Sequence, residues 1–430
     1  MLAERSYTAC VSGPPTAPRV AVVGAGIVGL STAWFLQEHG VAVTVLDRTG
    51  VAAGASWGNA GWLMAGDVSP LPGPDTLREG LRGLVDPDSA IRVSRRPDLG
   101  RGYALARFAL ASTPGRHERS LLALVALAQR AREAYDRLAA GGVDTARTSP
   151  SFHLSLFRHT ATRDAYTDHL RHLAAIGSPT RFEVFDGVQA RATTPLAGPA
   201  VTAAIGLQDQ QFVNPTVLLP SLADSVRARG AHLLLGHEVV DVRPRGAGAE
   251  LLVRVGGRLV RRAHDAVVMC TGAWLGRRLR RLGVRVPVTP GRGYSFSVAL
   301  PEPVMEPVFL PDQHLACTPM DGRLRIAGVM ELATADAPAD PRRFTAMARH
   351  AQAVLSGVDL EERCEEWVGP RPVSADGLPL AGPTDCPQIW CVGGHAMEGM
   401  ALGPVTAMLT AEAMVERRLP SALAPLRPTR

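Results

Sequence analysis

The thirty residues from Arg19 to Arg48, RVAVVGAGIVGLSTAWFLQEHGVAVTVLDR, constrain the fold more than any other stretch of the chain. Val20 to Val23 form a β-branched and apolar run, the pattern of a strand buried on both faces. Gly24-Ala25-Gly26-Ile27-Val28-Gly29 follows as a G-x-G-x-x-G turn. Ile27 to His39 has helical composition without proline, and Gly40 stands where a helix C′ residue belongs. Val41 to Leu46 reads as a second strand ending on Asp47. Strand, turn, helix, strand and terminal acid predict a βαβ unit that binds a dinucleotide. Gly24 allows the tight turn, Gly26 lets a pyrophosphate approach the backbone, and Gly29 lets helix and strand pack closely. The helix N-terminus offers unpaired N–H groups, and Asp47 can accept from ribose hydroxyls. A glycine-rich turn that only packs would leave Asp47 without a reason.

Composition removes several alternatives. None of the 46 basic residues is lysine, which excludes a Walker A lysine and a pyridoxal-phosphate Schiff base. The net charge of +6 is spread over pairs such as Arg95-Arg96 and Arg261-Arg262, without interleaved aromatics, so no nucleic-acid partner is expected. The six cysteines, Cys10, Cys270, Cys317, Cys364, Cys386 and Cys391, form no C-x-x-C pair, and the 12 histidines show no H-E-x-x-H spacing. No metal site is expected. No apolar run has the length of a membrane span. Met1 to Pro18 lacks a signal-peptide core and reads as a loose tail, which favours a cytoplasmic location and leaves peripheral membrane contact open.

Further along, Val51 to Gly66 is small and glycine-rich, suited to lie along an extended cofactor. Pro70 to Gly115 reads as irregular, and helices are expected at Ser120–Ala140, Thr162–Ala175, Thr216–Arg229, Arg342–Leu355 and from Gly399 or Met400 to Val415. A meander is expected from Arg243 to Arg262, and a hairpin around Asp321-Gly322. Glu366 to Gly382 reads as a loop with little regular structure. Ala266 to Gly272 and Trp390 to Gly399 are late strand-to-glycine turns, which favour a permanently held FAD over a mobile nicotinamide. Two interleaved domains are expected, a doubly wound nucleotide domain built from separated stretches and an α+β domain inserted into it.

Seven stretches, taken together, carry a resemblance: VAVVGAGIVGLSTAWFL, SWGNAGW, GLQDQQFVNP, VVMCTGAW, PGRGYS, GPRPVSADGLPLAG and GGHAMEGMALGP. Spanning residues 19 to 410 in order, they resemble FAD-dependent oxidoreductases of the D-amino-acid oxidase superfamily, most closely the group of bacterial D-amino acid dehydrogenase small subunits. The resemblance implies an α/β fold in which a Rossmann-type, glutathione-reductase-like FAD-binding domain (19–95, 186–280 and 356–418) interleaves with an α+β substrate domain (96–185 and 281–355) containing an antiparallel sheet. Residues 1–18 and 419–430 are expected as flexible tails.

It further implies pyrophosphate binding by Gly24, Gly26 and Gly29, and adenosine binding by Asp47, with Arg48 beside it. Ser56, Asn59 and Gly61 would line the FAD, Val239 or Val240 would meet the adenine, and Gly272 would lie near the adenosine half. Gly399, Met400, Ala401 and Leu402 would present helix-terminal N–H groups to the flavin. Arg371 matches the family's carboxylate-binding arginine, and Tyr294 would place a phenol over the substrate. His395 would stand near the flavin, with a structural histidine bonded to backbone as the alternative and no role as a base assigned, and Arg292 would cover the domain surface. Met397-Glu398 departs from the usual apolar or small residues, and from the arginine of glycine-oxidase-like relatives. Glu398 could receive an ammonium or turn to solvent, and His314 would line the substrate site from a β-strand.

The expected reaction is FAD-dependent oxidation of an amino-acid C–N bond, on a D-amino acid, giving an imino acid that hydrolyses to a keto acid and ammonia. The electron acceptor would be a quinone, another carrier or oxygen, and the absence of lysine leans towards a dehydrogenase. Oxidation of a secondary amine, glycine or sarcosine is the alternative within the superfamily. A non-catalytic FAD-bound electron-relay subunit is the alternative from another class.

Overall fold

The computed structural model describes residues 17–83, 86, 89–94 and 99–430. Cys10, most of the expected N-terminal tail, the Arg95-Arg96 pair and the expected domain boundary at 95/96 lie outside the described residues.

The opening unit forms as its sequence predicts. The strand Arg19–Val23 pairs in parallel with Ala42–Asp47 on one side and with Ala266–Met269 on the other. His232–Leu235 and Ile389–Gly393 extend the parallel sheet to five strands, and Leu380–Pro383 adds an antiparallel edge. Thus strands from four distant parts of the chain assemble one nucleotide-type sheet. Helix Ile27–Glu38 crosses between the first two strands. The C-terminal helix Gly399–Glu416 packs beside it, and the long helix Pro114–Ala140 packs on the C-terminal helix. Met400 to Ala411 are all buried, so this helix is enclosed on every side and its apolar composition needs no polar face. Trp34, Phe35 and Leu36 are fully buried in the same core. Burial of side chains this size contributes about 1.5–3 kcal/mol each.

The second layer is a nine-stranded, largely antiparallel sheet. Its backbone is the strand Val288–Ala299, flanked by Arg323–Leu332 and Cys364–Ser374. Leu315–Met320 and Arg323–Leu332 form the hairpin expected at Asp321-Gly322. The expected meander is the three-stranded sheet Glu238–Arg245, Gly248–Val255 and Arg258–His264. No helix among the described residues is long and apolar enough to cross a membrane.

Four expectations are corrected. Cys364–Ser374 and Leu380–Pro383 are strands where a loop was expected. Pro370 and Pro372 obscured the first, but it lies at the sheet edge, where a missing N–H is tolerated. Pro70 to Gly115 contains helices Pro74–Arg82 and Leu99–Ala111, the former starting with Pro74 at a position that does not need its N–H. Ala203–Leu207, Cys364–Ser374 and Ile91–Val93, expected in the nucleotide-binding segments, pair into the large sheet instead. Residues 419–430 are not a loose tail. Leu423 and Leu426 are fully buried, and the Arg430 guanidinium donates to both carboxylate oxygens of Asp376 at 2.7 and 2.9 Å.

Candidate active site

A cleft open to solvent runs along the C-terminal ends of the parallel strands, the place where ligands meet open α/β sheets. The glycine turn forms one end. A Cβ on Gly29 would stand 1.9 Å from the Gly24 carbonyl oxygen, so helix and turn touch backbone to backbone. A Cβ on Gly24, whose φ is +113°, would stand 2.5 Å from the Cys270 carbonyl. The helix that follows starts on Gly26 without a side-chain cap and without acid in its first turn. The Ile27 N–H is taken by Ser56 Oγ at 3.2 Å. Gly24, Gly26, Ser56 and Asn59 all line the cleft.

Asp47 also lines it, but much of its carboxylate is committed to the backbone. One oxygen accepts the Ala25 N–H at 2.9 Å, and the other accepts those of Thr49 and Gly50 at 2.8 and 3.0 Å. The acid therefore shapes the turn as well as facing the cleft. Arg48 stacks its guanidinium 4.1 Å from the centre of the Trp274 ring and pairs with Asp336 at 2.9 Å. Val239 and Gly272 line the same end, joined by His237, Thr271 and Trp274. Thr271 Oγ1 is buried there without a hydrogen-bond partner among the described residues.

The other end of the cleft is built by the Gly393–Glu398 turn and the start of the C-terminal helix. Ala396 adopts a left-handed φ of 48°, and its N–H donates to the Pro372 carbonyl at 2.9 Å. That bond ties this turn to the strand bearing Arg371. The helix begins on Glu398 with no side-chain cap, and Gly399 and Met400 face the cleft. Pro404 has no N–H to reach the Met400 carbonyl four residues back. The Tyr135 hydroxyl donates to that carbonyl at 2.8 Å instead.

Arg371 projects into the cleft with its guanidinium against Gly293, where a Cβ would stand 2.4 Å from its Cζ. It makes no ion pair or hydrogen bond among the described residues, and burial brings its pKa down to about 10. Bare, desolvated and planar, it is shaped to accept a carboxylate bidentately. His395 is buried beside it. The Thr406 hydroxyl has carbonyl acceptors at Leu402 and Gly403, 3.0 and 2.9 Å away, so it accepts the His395 Nε2–H at 2.8 Å. That leaves Nδ1 as a lone-pair acceptor, buried and unpartnered among the described residues. Burial lowers the His395 pKa to about 3, so the ring is neutral. No group of His, Cys, Asp and Glu that could hold a metal ion occurs among the described residues.

Several expected site residues stand elsewhere. Tyr294 is fully buried in the large sheet, not over the cleft. Its hydroxyl donates to Glu331 at 2.9 Å, and burial, with Glu331 adding to it, raises its pKa. Arg292 does not cover the surface. It is buried, pairs with Glu331 at 3.0 Å and donates to the carbonyls of Ala337 and Pro338. His314 is an exposed turn residue with a left-handed φ of 53°, not a strand residue lining a site. Glu398 leans away from the cleft, and burial, with the Asp67 carboxylate adding to it, pushes its pKa up to about 8. Gly29 and Gly61 support the cleft from behind, and Ala401 and Leu402 line a second cavity. The reading of the sequence gave no site role to Thr271, Trp274 or His237, whereas the two prolines flanking Arg371 were read as its rigid setting.

The comparisons agree with this geometry. The family model described as FAD dependent oxidoreductase matches residues 19–413, and a residue set with two bare helix N-termini, an acid-ended strand and a Cβ-free turn fits FAD. A D-amino acid dehydrogenase from Chromohalobacter salexigens is 28% identical over 417 residues, covering 93% of this chain and 96% of that one. Among solved structures, glycine oxidase from Geobacillus kaustophilus superposes with a TM-score of 0.75 at 24% identity, covering 96% and 99% of the two chains. The FAD-bound L-α-glycerophosphate oxidase from Mycoplasma pneumoniae gives 0.71 at 14% identity, covering 93% and 95%. These two share the fold, while the family match spans both ends of the cleft: the chain belongs to the family of FAD-dependent oxidoreductases.

Proposed function

We propose that the chain oxidises the C–N bond of a small amino acid, most consistently a D-amino acid, to an imino acid that water hydrolyses to a keto acid and ammonia. The observation that carries this reading is Arg371, a bare and desolvated guanidinium at the end of the cleft where the C-terminal helix starts. Bound FAD supplies the two-electron acceptor for the hydride leaving the substrate α-carbon. Gly24, Gly26 and the helix behind them would hold its pyrophosphate, with Asp47, Gly272 and Val239 around the adenosine half. The Gly399 and Met400 end of the C-terminal helix would face the flavin, where a helix N-terminus stabilises negative charge arriving on reduction.

The chain's own work is then positional. Arg371 fixes the substrate carboxylate, and a fixed carboxylate restricts where the α-C–H can point. His395 Nδ1, locked as an acceptor by Thr406, can take an N–H from the amine or from the cofactor without titrating at neutral pH. The 28% identical relative is named a D-amino acid dehydrogenase, which supports the same class of substrate.

The test is anaerobic bleaching of the FAD-loaded protein against a panel of D- and L-amino acids and N-methyl amines. Bleaching by one or more D-amino acids is expected. A flavin left oxidised by every amino acid, but bleached by an N-methyl amine, would replace this reading with secondary-amine oxidation.

A further inference from the structure

The turn that ends on Glu398 has the cleft on one side and a small cavity on the other, with space for about one water molecule. His395 and Ala396 line both spaces, so the two meet at this turn. Leu71, Leu124 and Pro379 give the small cavity apolar walls, and Ser69, His395 and Glu398 give it polar edges. His395 Nδ1 is an acceptor, buried and unpartnered among the described residues. The turn is held against the strand that carries Arg371. The Ala396 N–H donates to the Pro372 carbonyl at 2.9 Å, and Val373 bridges to His395. A substrate carboxylate on Arg371 brings its α-amino group, two bonds away, to this turn. Behind Glu398 stands Asp67, near enough for the two carboxylates to repel. The helix Pro114–Ala140 gives the cavity Leu124, and the turn at Gly377 adds no titratable side chain among the described residues, since neighbouring Asp376 is taken by Arg430. Asp67 accepts the Tyr166 hydroxyl and lies 3.4 Å from His169 Nε2, whose side chain reaches solvent. Glu398, Asp67 and His169 thus lead from the small cavity to the surface, and holding the substrate carboxylate requires none of them.

We propose that Glu398 accepts the proton of the substrate ammonium through one water in the small cavity, and that Asp67 and His169 pass it on to solvent. The proposal rests on the amine oxidation read above. A zwitterionic amino acid cannot release hydride from its α-carbon until the nitrogen has a lone pair with which to form the C=N bond. One N–H bond must therefore break first. The ammonium gives its proton to the water, the water gives one to the Glu398 carboxylate, and the nitrogen keeps the electron pair. The water donates its other hydrogen to His395 Nδ1, which fixes its orientation. His395 cannot hold the proton itself, because burial brings its pKa down to about 3. Glu398 can, because burial, with Asp67 adding to it, brings its pKa up to about 8, close to the operating pH as a general base requires.

The experiment uses the FAD-loaded full chain and two readouts. The first is the limiting rate of anaerobic flavin reduction by stopped flow across pH. The wild-type rate is expected to rise through about pH 8. Glu398→Gln should slow reduction roughly 10²-fold near neutral pH and recover at alkaline pH, where the free amine has already lost its proton. Asp67→Asn removes the repelling charge and should move the wild-type rise to lower pH. A Glu398→Gln rate equal to the parent's at every pH overturns the proposal. So does one lowered by the same factor at every pH, which is what a merely structural role would give. The second readout needs no substrate. Infrared difference spectra of the oxidised wild type are expected to show a carboxylic-acid C=O band that disappears as the pH rises through about 8. Its absence overturns the proposal, and if neither variant folds, this band decides alone. An N-methyl amine carries the same ammonium proton. Reduction by such amines alone would replace the amino-acid reading, while the pH profile with that substrate would still decide for or against Glu398.

Discussion

Replacing Arg371 by methionine should weaken substrate binding and stabilise the substrate-free protein at the same time. The guanidinium is held in the cleft without a partner among the described residues, and burial brings its pKa well below the ordinary arginine value, to about 10. That difference corresponds to roughly 3 kcal/mol of lost solvation, an upper limit on what the native fold gives up to keep the cation there. Methionine has a similar reach, no charge and a flexible thioether, and it can fill the space against Gly293. Arg371→Met should therefore raise the unfolding free energy of the FAD-loaded, substrate-free protein by about 1–3 kcal/mol. The same substitution removes the bidentate partner of the substrate carboxylate. Leaving that carboxylate unpaired should cost about 3–5 kcal/mol, or roughly 10²- to 10⁴-fold in affinity. Urea unfolding followed by far-UV circular dichroism reads the first quantity, and anaerobic substrate titration of the flavin spectrum reads the second. The opposite signs are the discriminating feature. A variant less stable than the parent, with substrate affinity within a factor of three of it, would show that Arg371 is an ordinary structural arginine.

Three further outcomes follow from particular contacts. Tyr135→Phe should destabilise the fold by about 1–3 kcal/mol in urea unfolding, because Pro404 offers no N–H to the Met400 carbonyl and the Tyr135 hydroxyl donates to it. A Tyr135→Phe protein as stable as the parent would mean that another donor reaches that carbonyl. Gly29→Ala should abolish FAD retention through gel filtration, since its Cβ would stand 1.9 Å from the Gly24 carbonyl oxygen; a yellow, fully loaded variant would contradict the close packing of turn and helix. The raised pKa of Glu398 makes its protonated form the favoured one in the fold. Its stabilising contribution is fully present below the unfolded value of 4.5 and is lost as the pH rises towards about 8. Glu398→Gln should flatten the stability profile between these limits by at most about 1.4 kcal/mol per pH unit, and an unchanged profile by denaturant titration would refute the burial of this carboxyl.

Much of the fold was legible because the information is local. The periods of Val20–Val23 and Val41–Leu46, the glycines between them and the terminal Asp47 specify a βαβ unit without reference to the rest of the chain. The hairpin at Asp321-Gly322 and the start of the C-terminal helix at Gly399 were legible for the same reason. Local information failed where an element's identity depends on its neighbours. Cys364–Ser374 holds two prolines at positions a central strand would reject, and it is a strand because it lies at an edge, paired with Val288–Ala299.

The site divides in the same way. The sequence by itself determined the cofactor class and the positions of Gly24, Gly26 and Asp47, since turn chemistry is written in consecutive residues, while the family resemblance singled out Arg371. Only the tertiary structure decided which polar groups face the cleft and which are already satisfied. Tyr294 looks like a site residue in PGRGYS and Arg292 like a surface one, yet Glu331 and the Ala337 and Pro338 carbonyls claim them. The role of His395 stays open in the sequence, and in the fold Thr406 fixes its tautomer and burial keeps it neutral. Side-chain orientation and desolvation arise from residues that only the fold brings together, and so does the partition that gives Met400 to one cavity and Ala401 to another. These are properties of the packed chain, because the free energy of a polar group depends on what surrounds it.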